Sequence, residues 1–456
     1  MVRLRKDRMR SARAGWAWVL LALASVGAAA QQPLELNMAS VANLARTRSW
    51  TAKQAHQNAA AADAVRRQTE SLRWGQVNFD TQYLRFDGPI ETASPVPVAF
   101  QALLGKSLIT PVAPIDNLHV AFQAGVPLFT GGKITSAIHE AKAGAKAAAS
   151  VASDTDDDVV LEAERNYLAV LLTRQVVELN TQALRSYKGH LDHAQSAFRQ
   201  GIAAKYDVIR AEAAVAEQEK RLTEATNQAA LAEAALRTSL ALEDAEAINI
   251  DGKLFAIDEQ VDLEQSMAKA VEASPILKAL QQKVAASRSA VRVEQADYLP
   301  QVTGIANKEM VDNKLAETDP RWAIGAQAKL NLFDGGERRA RVSVARAHLQ
   351  AAESEYRGAE DKIRLAVRSS YLDLQSTREQ LVSAQKAEQL ATESLRLATK
   401  RFEVGTGVSL EVLDANVSLT ASQVGIQQAL YGMDLAYLGV HRYQGDIFEV
   451  SARIQK

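Results

Sequence analysis

Two stretches of the chain alternate apolar and polar residues with a period of two. In residues 117–129, Leu118, Val120, Phe122, Ala124, Val126 and Leu128 share one face, opposite Asn117, His119, Gln123 and Gly125. In residues 321–333, Trp322, Ile324, Ala326, Ala328, Leu330 and Leu332 repeat the pattern, opposite Gly325, Gln327, Lys329 and Asn331. This period predicts strands, and strands of about ten residues with one apolar face suit a transmembrane β-barrel. Each has a predicted partner just before it. One lies at about 75–87, with Val77, Phe79, Thr81 and Tyr83 on one face; the other, less regular, lies at about 301–312. The connecting segments 88–116 and 313–320 are rich in Pro, Gly or polar residues, and the first is long enough to be an exposed external loop.

Beyond each strand pair the period lengthens. Ala345, Leu349, Ala352, Tyr356, Ala359, Ile363, Ala366 and Ser370 recur at steps of four and three, the spacing of a seam against neighbouring helices. Helices are expected at 132–200, 206–242, 275–298, 336–400 and 409–445. The chain is also written twice. "VPLFTGG" at 126–132 returns as "LNLFDGG" at 330–336, and "FRQGIAAKYDVIRA" at 198–211 returns as "FEVGTGVSLEVLDA" at 402–415, always 204 positions later. Tyr167-Leu168 and Tyr371-Leu372 keep the same offset. The expected division is two structural repeats, 31–250 and 251–456.

Residues 1–30 read as a secretory signal peptide, with six basic residues against Asp7, then an apolar stretch ending in Ala28-Ala29-Ala30. With that leader removed, the formal charge falls from −1 to −6, which argues against a nucleic-acid partner. There are no cysteines, so an exported chain is held by packing alone and offers no thiol chemistry. No later segment is apolar and long enough to span a bilayer as a helix. Membrane entry, if any, is by strands. Four strands cannot close a barrel, because lipid tolerates no open sheet edge. Several chains must therefore share one.

These features resemble the TolC-like outer membrane efflux protein family. The resemblance rests on the duplicated strand-to-helix junction "LF-x-GG" (Phe129, Gly131 and Gly132; Phe333, Gly335 and Gly336), the "F-x-x-G" turns at Phe198–Gly201 and Phe402–Gly405, "VLDA" at Val412–Ala415, and residues 274–302 leading into the third strand. It implies a mainly α fold with transmembrane β: a homotrimer whose long coiled helices form an α-barrel joined to a shared twelve-stranded β-barrel, four strands per chain. It implies an exit duct in the outer membrane of a Gram-negative bacterium, opened at its periplasmic helical end. Its partners would be outer membrane lipid, a periplasmic adaptor and the inner-membrane transporter of a tripartite efflux or type I secretion system. No cofactor or metal is expected.

The resemblance also places Glu411 and Asp414 at the periplasmic constriction, where three copies would concentrate negative charge. Asp207 aligns with one member of the lock between helix pairs. The tyrosine and arginine expected opposite it read Phe402 and Gly407, which cannot make side-chain hydrogen bonds, leaving Lys205 and Arg210 as further candidates. Gly201, Gly405 and Gly407 are expected to turn the chain, glycine accepting the left-handed conformation of helix ends.

Other constellations read as surface. "DTDDD" (154–158) lacks the glycine and glutamate of a calcium loop and is expected on a solvated helical face. His190 and His193 show no third metal ligand and are expected on a polar helix surface. "TGGK" (130–133) lacks the spacing of a phosphate loop, and no nucleophile elbow or HExxH motif is present. No enzyme reading survives. The competing reading is a soluble periplasmic coiled-coil scaffold.

Overall fold

The computed structural model describes residues 34–88, 90–113, 115–243, 246–250, 252–255, 259–312 and 321–454. The expected signal peptide and the 313–320 loop lie outside them. Along the chain come β1 (Leu34–Leu36), α1 (Met38–Arg48), α2 (Trp50–Ser71), β2 (Gln76–Arg85), β3 (Ile90–Pro95), α3 (Gln101–Leu104), β4 (Ser107–Ala113) and β5 (Asp116–Phe129). Then follow α4 (Lys133–Arg199), α5 (Lys205–Ser239), β6 (Ile248–Ile250), α6 (Leu263–Ala273) and α7 (Pro275–Gln295). The chain continues with β7 (Gln301–Asp312), β8 (Trp322–Lys329), α8 (Glu337–Glu403), α9 (Ser409–Gln444) and α10 (Ile447–Arg453). Both α4 and α8 have 67 residues, or about 100 Å at 1.5 Å per residue.

The packing units are not the sequence repeats. One unit comprises Gln54–Thr155 with Met267–Ala366; the other comprises the described residues up to Lys53, Asp156–Ser266, and those from Val367 onward. Each takes segments from both repeats.

The first unit carries an antiparallel sheet in the order β2-β5-β7-β8, its two edge strands paired on one side only. The register aligns Phe79, Phe122, Lys308 and Trp322 across one face, with Val77, Ala124, Ala306 and Ile324 in the next row. Phe79 and Phe122 rings pack 5.1 Å apart, yet both remain exposed, as do Val77, Trp322 and Ile324. The other face sets Asn78, Gln123 and Asn307 in a row. The weak alternation of 301–312 has two causes: Lys308 sits on the apolar face, and Met310 is skipped by the ladder as a β-bulge.

Two expectations are corrected. Segment 88–116 is no simple loop, because β3 and β4 form a hairpin of their own within it. The strand expected to reach residue 333 ends at Lys329. Lys329 pairs with Gln301, the first residue of β7; Pro300 precedes it, so residues 330–333 have no ladder to join.

The second unit holds the larger core. Leu36, Met38, Val41 and Ala45 from the N-terminal segments pack on Val160, Ala163, Tyr167, Leu168 and Leu171 of α4, with Leu236, Leu240, Leu438 and Ile447. β1 pairs in parallel with β6. The seam on α8 persists through Leu374, Leu381, Ala391 and Ala398, all buried.

Two carboxylic acids lie inside this core, Glu164 and Asp434, each 0% exposed. Neither oxygen of Glu164 has a hydrogen-bond partner; the hydroxyl of Ser451 donates instead to the Ile447 carbonyl at 2.7 Å. Burial raises the Glu164 pKa to about 8, and that of Asp434 to about 8 against a single long bond from the Phe255 N–H at 3.4 Å. A folded pKa above the unfolded value means the folded state binds more protons, so stability is full at acidic pH and falls as pH rises toward about 8. Glu164→Gln is therefore expected to melt a few degrees higher than the parent at pH 8 and no higher at pH 4. Thermal unfolding of the purified protein at both pH values checks this.

Candidate functional site

The two helix turns are built alike. After α4, Gly201 adopts φ +77°, the Gly201 N–H donates to Phe198 O at 2.9 Å, and the Ile202 N–H reaches back to Ala197 O at 2.9 Å. After α8, Gly405 adopts φ +75°, its N–H donates to Phe402 O at 3.0 Å, and the Thr406 N–H reaches Arg401 O at 2.9 Å. This is the Schellman way of satisfying the last carbonyls of a helix. Gly407 differs from its expected role. It has no positive φ; a Cβ there would lie 2.9 Å from the Arg401 Cβ. Space, not handedness, requires glycine at that position.

The candidate acids behave unequally. Glu411 in the first turn of α9 pairs with Arg401 at 3.2 Å. Asp414, one turn on, is exposed. Of the lock candidates, Asp207 caps its own helix by accepting the Ala204 N–H at 3.2 Å. No described ion pair or side-chain hydrogen bond joins Asp207, Lys205 or Arg210 to the second turn. Short-range capping outcompetes the longer reach.

His190 is the group the sequence misplaced. It is 7% exposed, shares a 2.7 Å hydrogen bond with the hydroxyl of Ser409, and packs its ring 4.9 Å from that of Phe402. His193 is exposed, and no metal-holding cluster occurs among the described residues. The polar-surface expectation for His190 fails because α9 covers that side of α4. The acidic stretch at 154–158 is likewise not simply solvated. Asp156 is buried with Arg46 at 3.8 Å, and Asp158 accepts from Arg442 Nε at 2.7 Å.

The strand-to-helix junctions also repeat. The Thr130 hydroxyl and the Asp334 carboxylate each face the first turn of the helix that follows. Phe129 and Phe333 are exposed. Gly131, Gly132, Gly335 and Gly336 all have positive φ, yet only Gly131 is crowded, with Leu299 and the Ala296 carbonyl against it. Beside them lies a hub no motif announced. Asp297 accepts from Lys133 Nζ at 2.8 Å, Arg341 Nη2 at 2.8 Å and Gln301 Nε2 at 3.2 Å, while its carbonyl accepts from Arg338. The lysine of "TGGK" thus serves an ion pair. Asp297→Ala is expected to cost about 1–3 kcal/mol, reduced from the fully buried case because both cations are partly solvated. The check is a melt lowered by several degrees, partly recovered in Asp297→Asn.

Two outer membrane proteins of known structure share the fold: the CmeC outer membrane channel of Campylobacter jejuni (TM-score 0.74, 17% identity, 90% of this chain and 85% of that one) and the outer membrane protein VceC of Vibrio cholerae (0.74, 19%, 89% and 96%). A membrane protein from Pseudomonas aeruginosa is similar at TM-score 0.77, with 19% identity over 89% of this chain and 92% of that one. No curated protein matches the sequence. The model of the outer membrane efflux protein family matches residues 110–242 and 267–445, more than half of the chain and including both turns and both junctions. The chain belongs to the outer membrane efflux protein family.

Proposed function

We propose that three copies of this chain close one twelve-stranded barrel in the outer membrane and form a passive exit duct, opened at the 198–211 and 402–415 turns. The observation that carries the reading is the sheet: four antiparallel strands, two unpaired edges and an exposed apolar face. Open edges are not tolerated in lipid, and strands that cannot close alone require copies. Trp74, Phe129, Phe333, Tyr83 and Trp322 are exposed in the same unit, in keeping with aromatic girdles at a membrane surface. Among the described residues no helix is long and apolar enough to cross a membrane, so the strands carry the membrane contact in this reading.

At the turns, Phe198, Ile202, Tyr206, Ile209, Val404 and Val408 are exposed, more apolar surface than a solvated turn needs. It suits a protein partner, and the periplasmic adaptor linking the duct to an inner-membrane transporter is the one proposed. Glu411 and Asp414 belong to the constriction. A soluble periplasmic scaffold has no use for an apolar sheet face with open edges. Membrane fractionation and unheated gels test the reading. A heat-modifiable trimer in the outer membrane fraction is the expected result; a soluble monomer would sink it.

A further inference from the structure

Helices α4 and α9 run antiparallel, and three polar pairs mark their register. Asp158 meets Arg442, Ser186 meets Asn416 and His190 meets Ser409, each at 2.7 Å. The last pair has a distinct position. Ser409 is the first residue of α9 and 1% exposed. The ring of His190 packs against Phe402 in the last turn of α8. One side chain of the first hairpin therefore engages both arms of the second where it turns. The Arg401–Glu411 pair, by contrast, stays within the second hairpin.

We propose that the His190–Ser409 hydrogen bond, packed against Phe402, is the latch that holds the two hairpin turns together in the closed duct. It stands in for the tyrosine and arginine whose expected places here hold Phe402 and Gly407. The proposal rests on the reading of the chain as a duct gated at these turns.

The chemistry of the latch gives it a direction in pH. With the ring neutral and its proton on Nδ1, the Ser409 hydroxyl donates to Nε2. Burial holds the His190 pKa below its ordinary value; His193 on the same helix lowers it further, and Asp207 on α5 opposes both. The contacts from α8 and α9, Phe402 and Ser409, bring no charge, and Arg401 and Glu411 beyond them neutralise each other. Opening exposes the imidazole to water, where it titrates near 6.5. The closed state has the lower pKa, so its advantage is complete above the open-state value and is lost as pH falls from there through the closed-state pKa. Acidification favours the open duct.

The test uses the purified full chain in planar bilayers, recording conductance between pH 7.5 and 5.5. The parent is expected to open progressively as pH falls. Ser409→Ala should raise the open-to-closed ratio at pH 7.5 about fivefold per chain, the worth of one hydrogen bond. His190→Gln can still accept a hydrogen bond, so it should stay closed at pH 7.5 and lose the pH response. The chain has no cysteines, so His190→Cys with Ser409→Cys can be joined by a short bis-methanethiosulfonate bridge. That form should stay shut until reductant is added. The latch is overturned if Ser409→Ala and His190→Gln keep the parent's conductance and pH profile. It is equally overturned if the variants only melt lower with an unchanged profile, or if the bridged protein opens normally. A parent chain that forms no pore at any pH overturns the duct reading itself, a result distinct from a conducting but unlatched pore.

Discussion

In the trimeric reading, replacing Gly131 by alanine should remove nearly all heat-modifiable oligomer from the outer membrane, while Gly335→Ala should leave most of it. The two glycines occupy the same place in a duplicated motif, with φ of +59° and +66°. Handedness alone costs each alanine about 1–2 kcal/mol. Their surroundings differ. A Cβ on Gly131 would stand 2.7 Å from the Leu299 Cβ and 2.9 Å from the Ala296 carbonyl oxygen. That carbonyl already accepts the Leu299 N–H at 3.0 Å, so relief would shift the turn that carries Asp297 and its ion pairs. Overpacking adds about 1–3 kcal/mol. At Gly335 nothing lies within 4 Å. Immunoblots of unheated membrane fractions measure the difference, and equal yields would refute the argument.

Asp414→Lys should invert the ion preference of single channels, and Asp414→Ala should lower cation selectivity severalfold. Charged rings at a constriction set selectivity, and in the trimeric reading Asp414 supplies one exposed carboxylate per copy. Glu411 contributes less, because Arg401 sits 3.2 Å from it. Removing Glu411 and Arg401 together takes away a pair that is already neutral, so Glu411→Ala with Arg401→Ala should change selectivity little. Reversal potentials in a salt gradient separate the cases. A double variant as damaging as Asp414→Ala would contradict the assignment.

What was legible in the sequence was whatever repeats locally. Alternation at Leu118–Leu128 marked β5, and the step of four and three from Ala345 to Ser370 marked the buried stripe of α8. Glycines three residues after Phe198 and Phe402 marked turns, because a left-handed residue and its hydrogen bonds need only neighbouring chain. Two of the missed features depended on distant residues, and the third was hidden by its own turn formers. Glu164 looks like any helical glutamate until segments from both ends of the chain pack around its neighbours on α4 and bury it. Segment 88–116 looked like loop because Pro95, Pro97 and Gly105 obscure a strand period that β3 and β4 nonetheless keep. Asp297 belongs to no motif, and its partners come from as far away as Lys133.

The sequence by itself determined the architecture. Periodicity and a fixed offset marked the four sheet strands and the long helices, and in the barrel reading a sheet of four strands needs copies to close. Only the tertiary structure decided which polar groups act. Gly131 and Gly335, Glu411 and Asp414, and His190 and His193 are pairs that local pattern cannot rank. Burial, crowding and partners separate the members of each pair. For Glu411 the partner is Arg401, folded back against it by the turn; for Gly131 and His190 the deciding neighbours, Leu299 and Ser409, lie more than a hundred positions away, and no short window of sequence contains them.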